Sequence, residues 1–332
     1  MMRTGLLLPH FGEHADAQKI VEGARLAERL GFDSVWVRDH LLFEPHGEFE
    51  KPDPTFYEAF TVLTAVGAAT ERLILGTGAL IPFRHPLVTA QIAATMTRFF
   101  GPRLVLGMGS GNFDHEFEAL GLGGVPRPQL VQDNFAILRD IWQREGVSWH
   151  KEPFDFDGAT VKPWPTGGPI PLWYCGTTPK SARIAAAGCD GWLPGRISLD
   201  TLRARVDTLT TVSAAHDRPR PTVGIIPTTS VARTREEALS RINVDGLLAW
   251  ANNSRFWVKP ESGRFETVQD LAGVLVHGTP DDIVEQALEL RAAGVDDLVF
   301  DFRLSFPLWE EQMHLLGEEV LPRLREAAVP AA

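Results

Sequence analysis

Residues 99–115 read FFGPRLVLGMGSGNFDH. Arg103 to Leu106 is a short apolar run, bounded by Gly101-Pro102 on one side and a glycine cluster on the other. That pattern reads as a buried parallel strand. The run leads straight into Gly107-Met108-Gly109-Ser110-Gly111-Asn112. Glycine permits positive φ there, so several backbone N–H groups can face one concavity that holds an anion. Residues 113–120 read as a short helix whose N-terminus adds to that field. The spacing is not a dinucleotide fingerprint, because Asn112 stands where the third glycine of G-x-G-x-x-G would fall and no long helix opens there. A plain strand-to-helix turn has the same local pattern, so the loop takes its meaning from the repeat around it.

One unit recurs outward from this stretch: an amphipathic helix, a glycine or short turn, an Asp or Arg, then a buried strand. Arg29-Leu30-Gly31-Phe32-Asp33 leads into 34–37, Thr70-Glu71-Arg72 into 73–75, and Arg103 into 104–106. Gly188-Cys189-Asp190 leads into 191–193, and Gly294-Val295-Asp296 into 298–302. Runs at 4–8, 170–174 and 222–231 complete eight strand candidates. Helices are predicted near 15–30, 55–70, 87–100, 129–144, 179–187, 199–215, 280–293 and 308–327. Eight alternating units read as an α/β chain, a (β/α)₈ TIM barrel. A doubly wound open sheet is the competing architecture, but its first unit would carry the dinucleotide fingerprint, and here that strand ends in Pro9-His10-Phe11-Gly12.

A chain of 332 residues suits one such domain, 1–332, with insertions near 42–54, 149–164 and 233–277. The second insertion carries aromatics and prolines and suggests a small hairpin. Long barrel loops often serve as lids. Apolar content of 44% and charged content of 23% are those of a globular domain, and no apolar run is long enough to span a bilayer. The start, MMRTGLLLPHFGE, has too short an apolar core for a signal peptide, so a cytoplasmic protein is expected. Cys175 and Cys189 make no disulfide framework. A net charge of −11 argues against nucleic acid or an anionic membrane as partner, yet leaves room for a phosphorylated small molecule on a locally basic site.

Active-site residues of a barrel sit at the C-terminal ends of its strands. Those ends here are His10; Arg38-Asp39-His40; Gly76-Thr77-Gly78-Ala79 with Arg84-His85-Pro86; the glycine loop Gly109 to Asn112; Cys175-Gly176-Thr177-Thr178; Trp192, Pro194 and Arg196; and Asp301 with Arg303. Gly176-Thr177-Thr178-Pro179 is a second candidate anion cradle, with Pro179 fitting the first helical turn. Lys180 and Arg183 run against the helix dipole there, which suits an anionic ligand. Thr178 acting only as an N-cap is the alternative. His40 can exchange a proton near neutral pH, with His10 near it. Asp39 either sets the His40 tautomer or serves the backbone, since adjacent strand residues point oppositely. His85 before Pro86 reads as a turn residue. No G-x-S-x-G nucleophile motif or zinc-ligand spacing occurs, and the strand ends offer few carboxylates for a metal.

In this order the motifs resemble the bacterial luciferase-like monooxygenase superfamily, whose members use FMN or the deazaflavin coenzyme F420. The matching stretches are Gly31 to His40, Leu75-Gly76-Thr77-Gly78 with Arg84-His85-Pro86, Arg103 to Gly111 with Glu116, Gly176 to Pro179 with Gly188 to Trp192, and Gly278-Thr279-Pro280 with Ala293 to Asp296. The resemblance implies a barrel with insertions, usually dimeric, and a flavin-type ring against a bulge in the third strand that often holds a non-proline cis peptide. By motif position the bulge falls at Thr77-Gly78-Ala79. The resemblance also assigns Asp39 and His40 to the face of the ring, Gly109, Ser110, Gly111 and Asn112 to coenzyme contact, and Gly176, Thr177 and Thr178 to its phosphate side; Cys175, at the end of the fifth strand, is expected among the cofactor-binding residues. One departure stands out. The sugar-phosphate dehydrogenase branch has a catalytic glutamate at the position of Asn112, and Asn cannot transfer that proton.

The resemblance implies F420-dependent hydride transfer to or from a small organic substrate. The alternatives are FMNH₂/O₂ monooxygenation, with a separate reductase supplying reduced cofactor, and a non-catalytic flavin-binding protein of the same fold. Asp39-His40 after a Trp-Val strand, and a polar stretch at 252–267 that would make a poor dry lid, favour F420. Its acidic tail would need local cations, for which Arg84, Lys180, Arg183 and Arg196 are candidates. Phe11, Phe43, Trp192, Phe256 and Trp257 suggest an apolar or ring-containing substrate.

Overall fold

The computed structural model describes residues 2–327. Eight parallel strands close into a barrel: β1 Arg3–Leu7, β2 Ser34–Val37, β3 Ile74–Leu80, β4 Leu104–Gly109, β5 Leu172–Cys175, β6 Gly191–Leu193, β7 Thr222–Ile225 and β8 Asp297–Phe300. Each pairs with its neighbour in chain order, and β8 pairs with β1 to close the ring. Helices cover the outside, the longest being Ala17–Leu30, Pro86–Phe100, Arg127–Ile141 and Leu199–Ala215.

The aspartates of the recurring unit have a specific job. Asp33, just before β2, accepts the backbone N–H of Thr4 in β1 at 2.7 Å. Asp190, before β6, accepts that of Leu172 in β5 at 2.9 Å. Asp296, before β8, accepts that of Val223 in β7 at 2.8 Å. Each carboxylate therefore fixes the register of its strand against the preceding one at the lower rim. Such hydrogen bonds to a charged acceptor are worth about 1.5–3 kcal/mol each. Arg103 does the equivalent before β4, donating to the carbonyls of Gly67, Thr70 and Leu73.

The barrel interior is filled by side chains, with Trp36 and Trp173 in contact at a centroid distance of 5.4 Å. Their bulk explains two glycines. A Cβ on Gly76 would lie 2.3 Å from the Trp36 ring, and one on Gly191 2.3 Å from the Trp173 ring. The core is thus closed below the mouth, which leaves ligands only the upper rim.

Three predicted elements differ. The strand expected at 222–231 breaks at Ile226-Pro227, because Pro227 has no N–H for the ladder. Its second half, Thr228–Val231, leaves the barrel and pairs in parallel with Leu275–Gly278. The helix expected at 55–70 starts at Ala59, where the Glu58 side chain caps Thr61 N at 2.7 Å. The helix expected at 308–327 is α-helical over Trp309–Leu315, widens to a π-helix over Leu316–Val320, and resumes over Leu321–Glu326. Pro322 lacks the N–H that an α-turn would donate, which accounts for the wider turn before it.

The longer connections surround the mouth or flank it. Val147–Lys151 and Phe154–Ala159 form an antiparallel hairpin. Residues 41–58 wrap over the ends of β1 and β2, and helix Val244–Asn253 brings Trp250 to the rim. Among the described residues no helix is long and apolar enough to cross a membrane.

Candidate active site

The rim encloses a cleft of about 390 Å³, lined by residues from the ends of β2 to β7, the loops that follow them, and Arg303 beyond β8. Its floor is backbone. The Gly78–Ala79 peptide is cis, and the register between β3 and β4 shifts between Thr77 and Leu80, at the position where the resemblance puts the bulge. Beside it lie Gly109 and Cys175; a Cβ on Gly109 would come within 3.2 Å of Ala79 Cβ and 3.3 Å of Cys175 Cβ. The floor is therefore flat because these positions carry little or no side chain. Gly111 at φ 66° and Gly176 at φ 153° adopt backbone that favours glycine.

The sequence-predicted ligand contacts divide. Gly78, Ala79, Gly109, Ser110, Gly111, Asn112, Cys175, Gly176 and Thr177 all line the cleft. Thr77 does not. It is fully buried, and its hydroxyl donates to Gly107 O at 2.8 Å, tying β3 to β4. Thr178 is the N-cap of helix Pro179–Gly188, accepting from Ser181 N at 3.0 Å, and lies outside the lining. Trp192 supports the cradle from below by donating from Nε1 to Gly176 O at 2.9 Å. Burial pushes the Cys175 thiol far up, so it stays protonated as part of the floor.

His40 stands at one wall with its side chain only 6% exposed. Its Nδ1 lies 3.2 and 3.3 Å from the two Glu116 oxygens. Glu116 is fully buried in helix Asp114–Ala119 and also accepts the backbone N–H groups of Leu41 (2.8 Å) and Leu42 (3.1 Å) through Oε1. Because a carboxylate only accepts, Nδ1 carries the proton and Nε2 is left as the acceptor on the cleft side. Burial lowers the His40 pKa; Glu116 opposes this and the Arg38 charge adds to it, leaving the ring neutral at neutral pH. A neutral imidazole with a free Nε2 can take a proton from a hydroxyl, and its protonated form can return one.

Asp39 and His10 are placed differently from expectation. Asp39 lines the cleft, but its oxygens accept from Arg84 at 2.8 and 3.1 Å and from Ile81 N at 3.0 Å. It is a positioning group for the segment after the bulge, and Arg84 is in turn shared with Glu58 at 2.6 Å. His10 is fully buried below the rim, outside the cleft lining. Its Nδ1 donates to Leu8 O at 2.8 Å and its Nε2 accepts from Arg38 N at 3.1 Å. Both nitrogens of the neutral ring are used, and burial pushes its pKa down to about 4, so it has no proton to exchange with a ligand.

The adjoining wall holds a feature that the sequence did not reveal. Arg38, Arg196 and Arg303 converge on Glu50, carried by the loop after β2, with Asp301 beneath Arg303. All five side chains are at least nine-tenths buried. Arg303 is well paired, donating to Glu50 at 2.6 Å and to Asp301. The two carboxylates outweigh burial and raise its pKa. Arg38 and Arg196 are not so well compensated. Burial, with the Arg303 charge, pushes them down to about 9 and about 10. Arg38 Nη1 has no hydrogen-bond partner among the described residues, and its nearest carboxylate oxygen is Glu50 Oε1 at 3.8 Å. Its Nη2 faces nitrogens, His46 Nδ1 at 3.0 Å and His40 Nε2 at 3.5 Å. His46 Nδ1 itself lies 2.9 Å from Glu50, and burial pushes the ring pKa down to about 3. Rings of Phe11 and Phe43 face Arg38 at 4.9 and 5.4 Å, and those of Phe49 and Trp250 face Arg196 at 4.7 and 4.9 Å. Such contacts give about 0.5–2 kcal/mol, less than the several kcal/mol that burying an ion costs.

An apolar cavity of about 400 Å³ adjoins this wall and is lined by Phe11, Phe43 and Phe49, among others. Of the other aromatics expected at the mouth, Phe256 is exposed and Trp257 packs against Trp250. Lys180 and Arg183 are exposed on the helix after Thr177, whereas Arg84 is committed to Asp39 and Glu58 and Arg196 lies in the arginine wall. Among the described residues no group of three or more His, Cys, Asp or Glu is arranged to hold a metal ion.

The sequence matches the family described as luciferase-like monooxygenase over residues 2–297. An F420-dependent glucose-6-phosphate dehydrogenase of Microbacterium testaceum is 28% identical, with 95% of each chain covered. An FMNH₂-dependent dimethylsulfone monooxygenase of Pseudomonas putida is 26% identical, covering 91% of this chain and 86% of that one. Among solved structures, an F420-dependent secondary alcohol dehydrogenase in complex with an F420-acetone adduct superposes with a TM-score of 0.80 at 19% identity, covering 98% of this chain and 99% of that one.

Proposed function

Since the chain belongs to the luciferase-like monooxygenase family, a family of oxidoreductases, we propose that it is an F420-dependent enzyme that moves a hydride to or from a small organic substrate. The observation that carries this reading is His40: a neutral imidazole, its Nδ1 proton held by Glu116 and its Nε2 left as an acceptor, at the edge of a cleft with a flat backbone floor.

The floor fits a planar ring. At Gly109 even a methyl would touch both Ala79 and Cys175, so a larger side chain would occupy the surface on which the ring lies. F420, when bound, supplies a two-electron hydride donor or acceptor. The chain's own residues supply the rest. Gly109 to Asn112 and the bulge hold the ring plane. Gly176 and Thr177 offer backbone and hydroxyl donors to phosphate, with Lys180 and Arg183 on the adjoining helix as local cations for an acidic tail. Glu116 keeps Nε2 of His40 unprotonated, so that His40 accepts the hydroxyl proton of an alcohol or returns it to a carbonyl.

The FMNH₂/O₂ reading draws on the Pseudomonas putida relative and would need a separate reductase. It demands a water-shielded apolar space above the ring. Here that space is faced by three arginines and two histidines, which favours hydride transfer. A homodimer, as the resemblance implies, belongs to either reading.

Titrating the purified chain with F420 and with FMN, each oxidised and reduced, tests the choice. Saturable F420 binding is the expected result. Binding of reduced FMN with none of F420, or substrate-dependent oxygen uptake with FMNH₂, would overturn it.

A further inference from the structure

We infer that the substrate carries a single negative charge, a carboxylate, held at the wall formed by Arg38, Arg196 and Arg303, next to the carbon that reacts. The proposal rests on the reading of His40 as the proton-exchanging group, and it adds the substrate class.

Charge comes first. Three buried guanidiniums face two carboxylates, Glu50 and Asp301, and His46 between them is neutral, so one positive charge is left over at the wall. The count is local to this wall, since the Glu116 carboxylate, beside a neutral His40, keeps its own charge on the far side of that ring from Arg38. Asp39 is held by Arg84, and Glu116 is engaged with His40 and the Leu41 and Leu42 amides. A monoanion completes the balance, whereas a dianion such as phosphate overshoots it.

Hydrogen bonding points the same way. Arg196 makes one hydrogen bond among the described residues, a long one of 3.4 Å from Nη1 to Thr228, and its Nη2 is 3.9 Å from the nearest Glu50 oxygen. The Phe49 and Trp250 rings hold this guanidinium in place without satisfying its donors. Arg38 Nη1 likewise lacks a partner and is itself buried, so that guanidinium is short of acceptors within the wall. Both arginines line the cleft. A carboxylate is the planar acceptor that such donors match.

Position then narrows the substrate. Arg38 Nη2 lies 3.5 Å from His40 Nε2, the atom assigned to proton exchange. A molecule whose carboxylate meets this wall and whose reacting oxygen meets His40 must carry the two groups close together, as a hydroxy acid or oxo acid does. Arg38 would then read the acid and crowd out neutral alcohols, which leave its charge uncompensated.

The test is calorimetric titration of the whole cofactor-free chain with lactate and pyruvate, with the neutral amides lactamide and pyruvamide, and with inorganic phosphate. The acids should bind about tenfold to hundredfold more tightly than their amides, the range set by hydrogen bonds to a charged partner. Arg196→Gln should close that gap, and Arg38→Gln should do the same if it folds by circular dichroism. The wild-type acid-against-amide comparison needs neither variant. Equal binding of acid and amide overturns the inference, as does phosphate binding more tightly than either acid. F420 binding together with equal acid and amide binding removes this inference alone. An acid-against-amide gap in a chain that binds no F420 supports the anion wall and removes the cofactor reading instead.

Discussion

Replacing Glu116 by Gln should disable His40 through its tautomer. Glu116 Oε1 accepts two loop amides, Leu41 N at 2.8 Å and Leu42 N at 3.1 Å, while Oε2 is 3.2 Å from His40 Nδ1. Gln has one acceptor oxygen. The two amides require that oxygen at the Oε1 position, because turning it away leaves both donors unpaired, at about 1–3 kcal/mol each. The NH₂ group then faces His40 Nδ1 and can only donate. The ring must accept there and carry its own proton on Nε2, the atom that should receive the substrate proton. General-base assistance contributes on the order of 10²–10⁴ in rate, so alcohol oxidation should fall by about 10²-fold or more. Cofactor affinity should change little, because Glu116 does not line the cleft. The pKa moves as well. Glu116 raises the His40 pKa against the lowering by burial, so its loss should move the ring titration, and the acid limb of the rate, to lower pH. Nitrogen chemical shifts of the His40 ring report tautomer and titration directly, and single-turnover kinetics report the rate. Glu116→Ala is the control, expected to cost several kcal/mol of stability on the order of two unpaired amides. A Gln variant that keeps the Nδ1–H tautomer and turns over at the wild-type rate would refute the reasoning.

Further outcomes follow from the same site. His40→Ala should lower kcat by about 10²-fold or more with cofactor affinity largely kept, and near-normal turnover in a folded variant would remove it from the mechanism. Thr177→Val should weaken binding of the intact cofactor by roughly tenfold to hundredfold while sparing an analogue without phosphate; equal losses for both ligands would mean that Thr177 does not face phosphate. His10 titrates at about 4 in the folded chain, below its ordinary value, so protonation favours the unfolded state. Its contribution to stability is present above the unfolded pKa and is lost as pH falls from about 6.5 to about 4, by as much as about 3 kcal/mol. Urea titrations across that window should show the loss in the wild type and a flatter curve in His10→Gln; identical slopes would count against a buried neutral His10.

The alternation of strands and helices was legible because the chain repeats a unit with a physical task. Gly31 at φ 90° ends a helix, and Asp33 fixes the next strand's neighbour, so both residue types recur at strand starts. The bulge at Gly78-Ala79 was legible from motif position alone, since nothing in the local composition distinguishes it from any glycine-containing strand. Pro227 was present as a signal and should have ended the seventh strand. The partners of His40 were not legible in the same way. Glu116 is 76 residues away and meets it only because β3 brings the ends of β2 and β4 close together. Glu50 meets Arg303 across 253 residues, through a loop with no strand or helix period to place it. Thr77 and Thr178 show the opposite failure. Each is the right residue type at a strand end, but a hydroxyl that already has a carbonyl or an amide in reach is spent on structure.

Asp39 and His40 illustrate how the barrel separates two duties within adjacent residues. Neighbours on an extended chain point apart. His40 takes the direction that reaches Glu116 and the cleft, and Asp39 therefore takes the one that reaches Arg84 and the amide of Ile81. Ile81 follows the cis peptide by two residues, so Asp39 holds the far side of the bulge while His40 faces the space above it. The carboxylate that looked like the tautomer-setting partner of His40 in the sequence thus supports the floor. The partner's role falls to Glu116, whose two loop amides and His40 hold its charge against burial and fix its geometry more firmly than an adjacent strand residue could.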